Sequence, residues 1–147
     1  MNGTLDKVLT LRRVPLFKGL SFEELVSLAR IASVKHAAAG STIFRQGDAG
    51  TTLFVVLSGE VEIVREAKGS EVRVTLVRPG GYFGEMALLD ERPRSASARA
   101  SASTILLQIQ KDHFRALLAT HVNLTMEILK MFAQRLRQNT SEMNEQN

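Results

Sequence analysis

Between Ser33 and Ile109 the chain is punctuated by glycine at positions 40, 47, 50, 59, 69, 80 and 81. The runs between the glycines are short and rich in β-branched and aromatic residues, the signature of strands bounded by turns. Strands this short and this evenly interrupted point to a sandwich, a jelly roll or a barrel. Within the region, Ser58-Gly59 separates Leu53–Leu57 from Val61–Val64 and reads as a hairpin turn. Val72, Val74 and Leu76 alternate with Arg73 and Thr75, the pattern of a half-buried strand.

The period changes on either side. Leu5, Val8, Leu9 and Leu11 recur at near-helical spacing until Val14-Pro15-Leu16-Phe17 breaks the run. Ser21 followed by Glu24 is a capping-box signature opening a second helix that carries Leu25, Val26, Leu28 and Ile31. After Ile109, Lys111–His121 places Phe114, Leu117 and Leu118 on one face. A longer helix from Asn123 to Thr140 carries Leu124, Ile128 and Met131, with Leu129, Phe132 and Leu136 beside them. The polar tail from Ser141 to Asn147 frays or belongs to a longer helix.

The expectation is an α+β fold forming a single domain over 1–147. N-terminal helices occupy 1–32, an antiparallel, jelly-roll-like β-roll 33–110, and two C-terminal helices 111–141. A chain of 147 residues that is 44% hydrophobic and 23% charged can bury a core of that kind. No cysteine is present, so disulfides and thiolate metal sites are excluded, and a reducing compartment fits. Met1–Asp6 lacks the regions of a signal peptide, and the longest apolar runs are too short to cross a bilayer. A cytoplasmic protein without membrane insertion is expected. The net charge of +4 is scattered, with no Trp and one Tyr, so no nucleic-acid patch stands out.

Chemistry concentrates in the loop from Phe83 to Ala100. Gly80-Gly81 supplies a turn, Phe83 anchors the chain to the core, and Gly84 lets backbone approach a ligand. Glu85–Leu89 contains strong helix formers, and a short helical turn there would aim its first amides at an anion. The Glu85 carboxylate can accept hydrogen bonds from sugar hydroxyls. Pro93 sets an extended approach to Arg94, whose planar fork suits two phosphate oxygens, and Ser95 adds a hydroxyl. The residues alone leave two readings open. Either Glu85 and Arg94 form an internal salt bridge, or they face a small hydroxylated anion.

Taken together, Phe83-Gly84-Glu85, Ala87-Leu88-Leu89, Pro93-Arg94-Ser95-Ala96-Ser97 and Arg99-Ala100 resemble the phosphate-binding cassette of cyclic-nucleotide-binding domains. That family includes catabolite-activator-type regulators, cyclic-nucleotide-dependent kinases and cyclic-nucleotide-gated channels. Val14–Phe17, Ile43–Asp48 and Leu53–Val61 are similar to other segments of the family, in the same order. The resemblance implies that Glu85 receives the ribose 2′-hydroxyl. It implies that Arg94 neutralises the cyclic phosphate, helped by backbone amides near Gly84, Met86 and Ala87. Ser95 sits where relatives vary, leaving the choice of base open, with cAMP favoured and cGMP the alternative. Leu88 resembles the hydrophobic contact that reports binding to the terminal helices.

The last helix would act as the lid. Arg135 continues the Leu124, Ile128, Met131 stripe by four residues and is one candidate to cover the purine; Asn139 and Thr140 match positions that contact the base in other relatives. The alternative is that Arg135 reaches solvent and the stripe is core or a dimer seam. No cofactor beyond the nucleotide is expected. His36, His113 and His121 are too dispersed for a metal-dependent jelly-roll enzyme and read as surface residues. The expected role is a non-enzymatic sensor. Its partners would be a cyclic nucleotide and an output domain in a larger chain (channel, transporter or DNA-binding), or a second copy through the last helix. A module of the same fold that has lost its ligand is the remaining alternative.

Overall fold

The computed structural model describes residues 3–85 and 91–146, without the side chains of residues 135, 136 and 138–146. Helix α1 (Thr4–Leu11), a 3-10 turn (Pro15–Phe17) and α2 (Phe22–Ile31) precede the strands. These are β1 (Ala32–Ala37), β2 (Thr42–Phe44), β3 (Thr52–Ser58), β4 (Val61–Ala67), β5 (Ser70–Val77), β6 (Tyr82–Phe83), β7 (Ser97–Ala100) and β8 (Thr104–Gln110). Helices α3 (Lys111–Thr120) and α4 (Val122–Gln146) follow. The strands form two four-stranded sheets, ordered β1-β8-β3-β6 and β2-β7-β4-β5, with every pairing antiparallel. The fold is α+β, an antiparallel β-roll with helices at both ends of the chain.

Strand β3 shows why its sequence is continuously apolar. Leu53 and Val55 pack into a cluster with the helices, whereas Phe54 and Val56 pack into a second cluster between the sheets. Strand β8 divides the same way, with Leu107 and Ile109 toward the helices and Leu106 toward the inter-sheet core. Both faces of these strands are covered, so alternation is lost.

Two local expectations are corrected. The segments on either side of Ser58-Gly59 are not a hairpin, because β3 pairs with β6 and β8 while β4 pairs with β5 and β7. At Gly59, with φ of +87°, the backbone presses against the β7–β8 connection, and a Cβ there would lie 2.4 Å from Ser103 O. The chain therefore passes from one sheet to the other. The local hairpin is β4–β5 instead, turning through Lys68 and Gly69 at φ of 54° and 79°.

Val72 and Val74 are 54% and 50% exposed, not half-buried on the core side. Ile63 pairs with Thr75 and Val64 with Arg73, so Val74 is the extra residue of a bulge that upsets the alternation of β5.

The helices pack through one face each. Ser21 and Glu24 exchange the two hydrogen bonds of the capping box that starts α2. Phe114 of α3 is fully buried, and Leu124, Ile128 and Met131 of α4 join Leu16 and Phe17 of the 3-10 turn in the helical cluster. Leu129 of α4 is exposed, and so are Leu5 and Leu9 of α1. Among the described residues no helix is long and apolar enough to cross a membrane.

Candidate functional site

A cavity of about 360 Å³ opens between the inner face of β4–β5 and the segment from Tyr82 to Ala96. Its walls include Phe44, Ile63, Val74, Val77 and Phe83, and its polar groups include Thr75, Tyr82, Glu85, Ser95 and three arginines, Arg65, Arg92 and Arg94. The cavity thus combines apolar walls with a few convergent polar groups, the usual make-up of a small-molecule site.

Arg94 is 8% exposed and its position is set by backbone contacts far away in sequence. Its amide donates to Asp48 O at 2.8 Å, and its carbonyl accepts from Gly47 N at 2.8 Å, so the loop is fastened to the β2–β3 turn. Nearby, Gln46 N donates to Ser97 Oγ at 2.8 Å. The side chain then runs over the ring of Phe44, with Cζ 4.1 Å from the centroid. Phe44 itself is held by Phe54 and Phe83, whose rings stack 5.1 Å apart. Nη2 donates to Thr52 O at 2.7 Å and Nη1 to Gly84 O at 3.0 Å.

Among the described residues the hydrogen-bond partners of this guanidinium are therefore carbonyls rather than the Glu85 carboxylate. Its Nε is buried with no hydrogen-bond partner among them. Burial pushes the guanidinium below its ordinary pKa, and the nearby Asp48 charge opposes that shift. Carbonyl dipoles compensate a full positive charge only in part. An anion reaching the exposed edge of the fork would complete the compensation.

Gly84 makes the approach possible. It sits at φ of +82°, and an added Cβ would fall 2.8 Å from Arg94 Nη1 and 3.0 Å from Thr52 O. Glu85 follows, in a 3-10 conformation and only 4% exposed. A buried carboxylate and a buried guanidinium thus stand on one cavity wall, and Ser95 lies exposed beside them. Glu91, at the far side of the loop, pairs with Lys111 Nζ at 3.5 Å and Arg115 Nη1 at 3.8 Å, linking the loop to α3.

The other expected site residues divide clearly. Met86, Ala87 and Leu88 lie outside the described residues. The backbone of Arg135, Asn139 and Thr140 belongs to α4, and their side chains are also outside the described set. No described residue of α4 lines the cavity. The Leu124, Ile128 and Met131 stripe is core, packed on Leu16 and Phe17. His36 and His113 are exposed as expected. His121 is half-buried, its Nδ1 2.9 Å from Thr120 Oγ1 and 3.1 Å from Leu117 O. Among the described residues no three His, Asp or Glu side chains are placed to hold a metal ion.

Sequence reasoning did not foresee Thr52 and Phe54 as supports for Arg94, or Phe44 as the ring beneath it. Phe44 and Phe54 fall in segments resembling the family, but nothing local shows that their rings meet Phe83.

The sequence model of the cyclic nucleotide-binding domain matches residues 34–121, which run from β1 through the end of α3. The chain belongs to the cyclic nucleotide-binding domain family. It is 37% identical over 131 residues to the cyclic AMP receptor protein of Thermus thermophilus, covering 88% of this chain and 61% of that one. It is 36% identical over 114 residues to a cAMP-dependent protein kinase regulatory subunit of Emericella nidulans, covering 78% and 27%. The solved structure of the Thermus thermophilus catabolite activator protein superposes with a TM-score of 0.82 at 38% identity, over 88% of this chain and 62% of that one. This cyclic nucleotide-binding domain thus spans less than two thirds of the length of these relatives.

Proposed function

We propose that the protein is a cyclic-nucleotide sensor that takes cAMP in the cavity between β4–β5 and the 82–96 segment. The observation that carries this reading is Arg94. It is a buried guanidinium with two carbonyl partners and an unpartnered Nε, standing on the same cavity wall as the buried Glu85. A cyclic phosphate supplies the missing charge at Arg94, a ribose hydroxyl donates to Glu85, and the purine lies against the apolar strands. The backbone amides near Gly84, Met86 and Ala87 add donors for the phosphate, and Ser95 adds a hydroxyl. The names of the two curated relatives, a cyclic AMP receptor protein and a cAMP-dependent kinase regulatory subunit, support cAMP over cGMP.

Output comes from the C-terminal helices. The Glu91 pairs with Lys111 and Arg115 give the loop a direct hold on α3, and α4 follows after one residue. Binding moves α4 toward the cavity, bringing Arg135, Asn139 or Thr140 over the base, with Leu88 as the contact that relays the change. The coupling equals the difference in affinity between the two positions of the helix and no more. An output domain in a longer chain, or a second copy joined through α4, receives the signal.

Calorimetric titration with cAMP tests the reading. Wild-type protein binds, and Arg94→Ala loses more than about 1.4 kcal/mol, a tenfold drop in affinity. Unchanged affinity in the variant removes the phosphate assignment. A spin label on α4 whose distance to the β-roll does not change on cAMP addition removes the lid.

A further inference from the structure

Two hydrogen bonds do not fix the plane of a guanidinium. Arg94 donates to Thr52 O and Gly84 O through its two Nη atoms, and the group can still swing about the line joining those acceptors. A planar fork meets two phosphate oxygens at once only at the right tilt, so this remaining freedom bears directly on binding.

The ring of Phe44 removes it. Arg94 Cζ stands 4.1 Å from the ring centroid, so the π-face bears on one side of the guanidinium. Phe44 closes β2, and Gly47 and Asp48 just after it hold the Arg94 backbone at its carbonyl and its amide. The rings that brace Phe44 come from the segments that supply the two carbonyls. Phe54 is two residues from Thr52 on β3, and Phe83, paired with Phe54 across β3–β6, directly precedes Gly84. Phe44 lies 6.0 Å from the Phe54 ring and 5.9 Å from that of Phe83, so the ring and the acceptors form one unit.

We propose that Phe44 is a positioning residue for phosphate capture, its ring setting the tilt of the Arg94 fork before ligand arrives; this rests on the cyclic-nucleotide reading of the cavity. The attraction between ring and cation is present with and without ligand, so by itself it cancels from the affinity. What the ring contributes is the fraction of time the fork spends at the competent tilt. The apparent dissociation constant is the intrinsic one divided by that fraction. An aliphatic side chain of similar bulk fills the space but has no π-face to attract a cation. Loss of the ring therefore slows capture of the nucleotide without hastening its release.

The test is biosensor binding of cAMP to the full chain as wild type, Phe44→Leu, Phe44→Met, Phe44→Tyr and Arg94→Ala, and to Arg94→Lys with and without Phe44→Leu. A thermal melt of each variant shows that it is folded, and the two aliphatic replacements give the test two shapes. Phe44→Leu and Phe44→Met bind cAMP about tenfold more weakly, nearly all of it a slower association rate. Phe44→Tyr keeps the π-face and binds within about twofold of the wild type. Lysine at position 94 has no plane to tilt, so adding Phe44→Leu there changes affinity far less.

A loss carried by faster dissociation overturns the inference, because the ring then acts by touching the nucleotide itself. Equal losses in Phe44→Tyr and Phe44→Leu overturn it as well, since shape rather than the π-face then matters. Unchanged affinity in the aliphatic variants, or the same loss from Phe44→Leu in the Arg94→Lys background, has the same consequence. If Arg94→Ala weakens binding in any of these cases, the cavity assignment stands and only the role of Phe44 falls. A wild type that does not bind cAMP, or an Arg94→Ala protein that binds as tightly, overturns both.

Discussion

Arg94 Nη2 donates to the carbonyl of Thr52 at 2.7 Å, joining two positions that are 42 residues apart in sequence. Thr52 opens β3, which pairs with β6 and β8, whereas Arg94 leads toward β7 of the other sheet. The guanidinium is thus fixed by a strand of the other sheet as well as by Gly84 O of its own loop. It can hold an anion without first being ordered by it, which lowers the entropic cost of binding.

Arg94→Lys separates charge from geometry. Lysine keeps the positive charge but has no planar fork to reach Gly84 O and Thr52 O while facing a phosphate. The expected result is a cAMP affinity reduced by more than about tenfold, together with a lower melting temperature from the lost carbonyl and ring contacts. Calorimetry with a parallel thermal melt checks it, and equal affinity would show that charge alone suffices.

Gly84→Ala disturbs the same guanidinium from its other side. The new Cβ meets Arg94 Nη1 and Thr52 O, and alanine at this φ is strained by about 1–2 kcal/mol. Both lowered stability and lost cAMP binding are expected, measured by denaturant melts and titration. Retained binding would mean the Arg94 side chain yields without consequence.

Thr104→Val probes the crossing between sheets. Buried Thr104 Oγ1 accepts from Glu60 N at 3.1 Å and lies 2.8 Å from Ala102 O, holding the turn after Gly59. Valine keeps the shape and leaves Glu60 N–H without this partner, so a loss of about 1–3 kcal/mol is expected in urea unfolding. A change within error would place that amide in water.

Acid should weaken the outer face of the β2-β7-β4-β5 sheet and the start of α2. Hydrogen bonding to Arg99 holds Glu62 below the ordinary glutamate range, and Arg99 is raised in turn by Glu71 and Glu62. The Ser21 amide does the same for Glu24. A carboxylate with a depressed folded-state pKa adds stability above its unfolded value, and that stability is lost as pH falls through the folded one. Melting temperature should therefore drop below about pH 4.5, and Glu62→Gln should flatten part of the drop. Parallel curves for the two proteins would show that the Glu62 pairs are fully screened by water.

The helices and the extent of the β-region were legible because they depend on local pattern. The Ser21–Glu24 box and the Leu124, Ile128, Met131 stripe need only their own spacing. Strand partnership was not legible. Leu53–Leu57 and Val61–Val64 look like a hairpin from either side of Gly59, and only the packing of that glycine on Ser103 separates them into two sheets. The bulge at Val74 is equally silent, since it is defined by its partner on β4.

At the site, Glu85 and Arg94 were visible as residue types, but their local chemistry could not decide between pairing with each other and facing a ligand. The deciding contacts, Thr52 O and the Phe44 ring, lie 40 to 50 residues upstream of Arg94 and leave no mark near it.

Strand β1 pairs with β8 from Ala32↔Ile109 to Ala37↔Thr104, so this ladder closes a loop that contains most of the β-region. Loop closure over such spans makes folding slow and late contacts expensive to nucleate. The Thr52 partner of Arg94 lies 42 residues away on β3, so the nucleotide site is complete only once the two sheets have met. Ligand therefore stabilises only the fully closed roll, by about 2.7 kcal/mol at a hundredfold excess over its dissociation constant. In a cell, the level of the nucleotide would then set how much of this protein escapes unfolding and proteolysis.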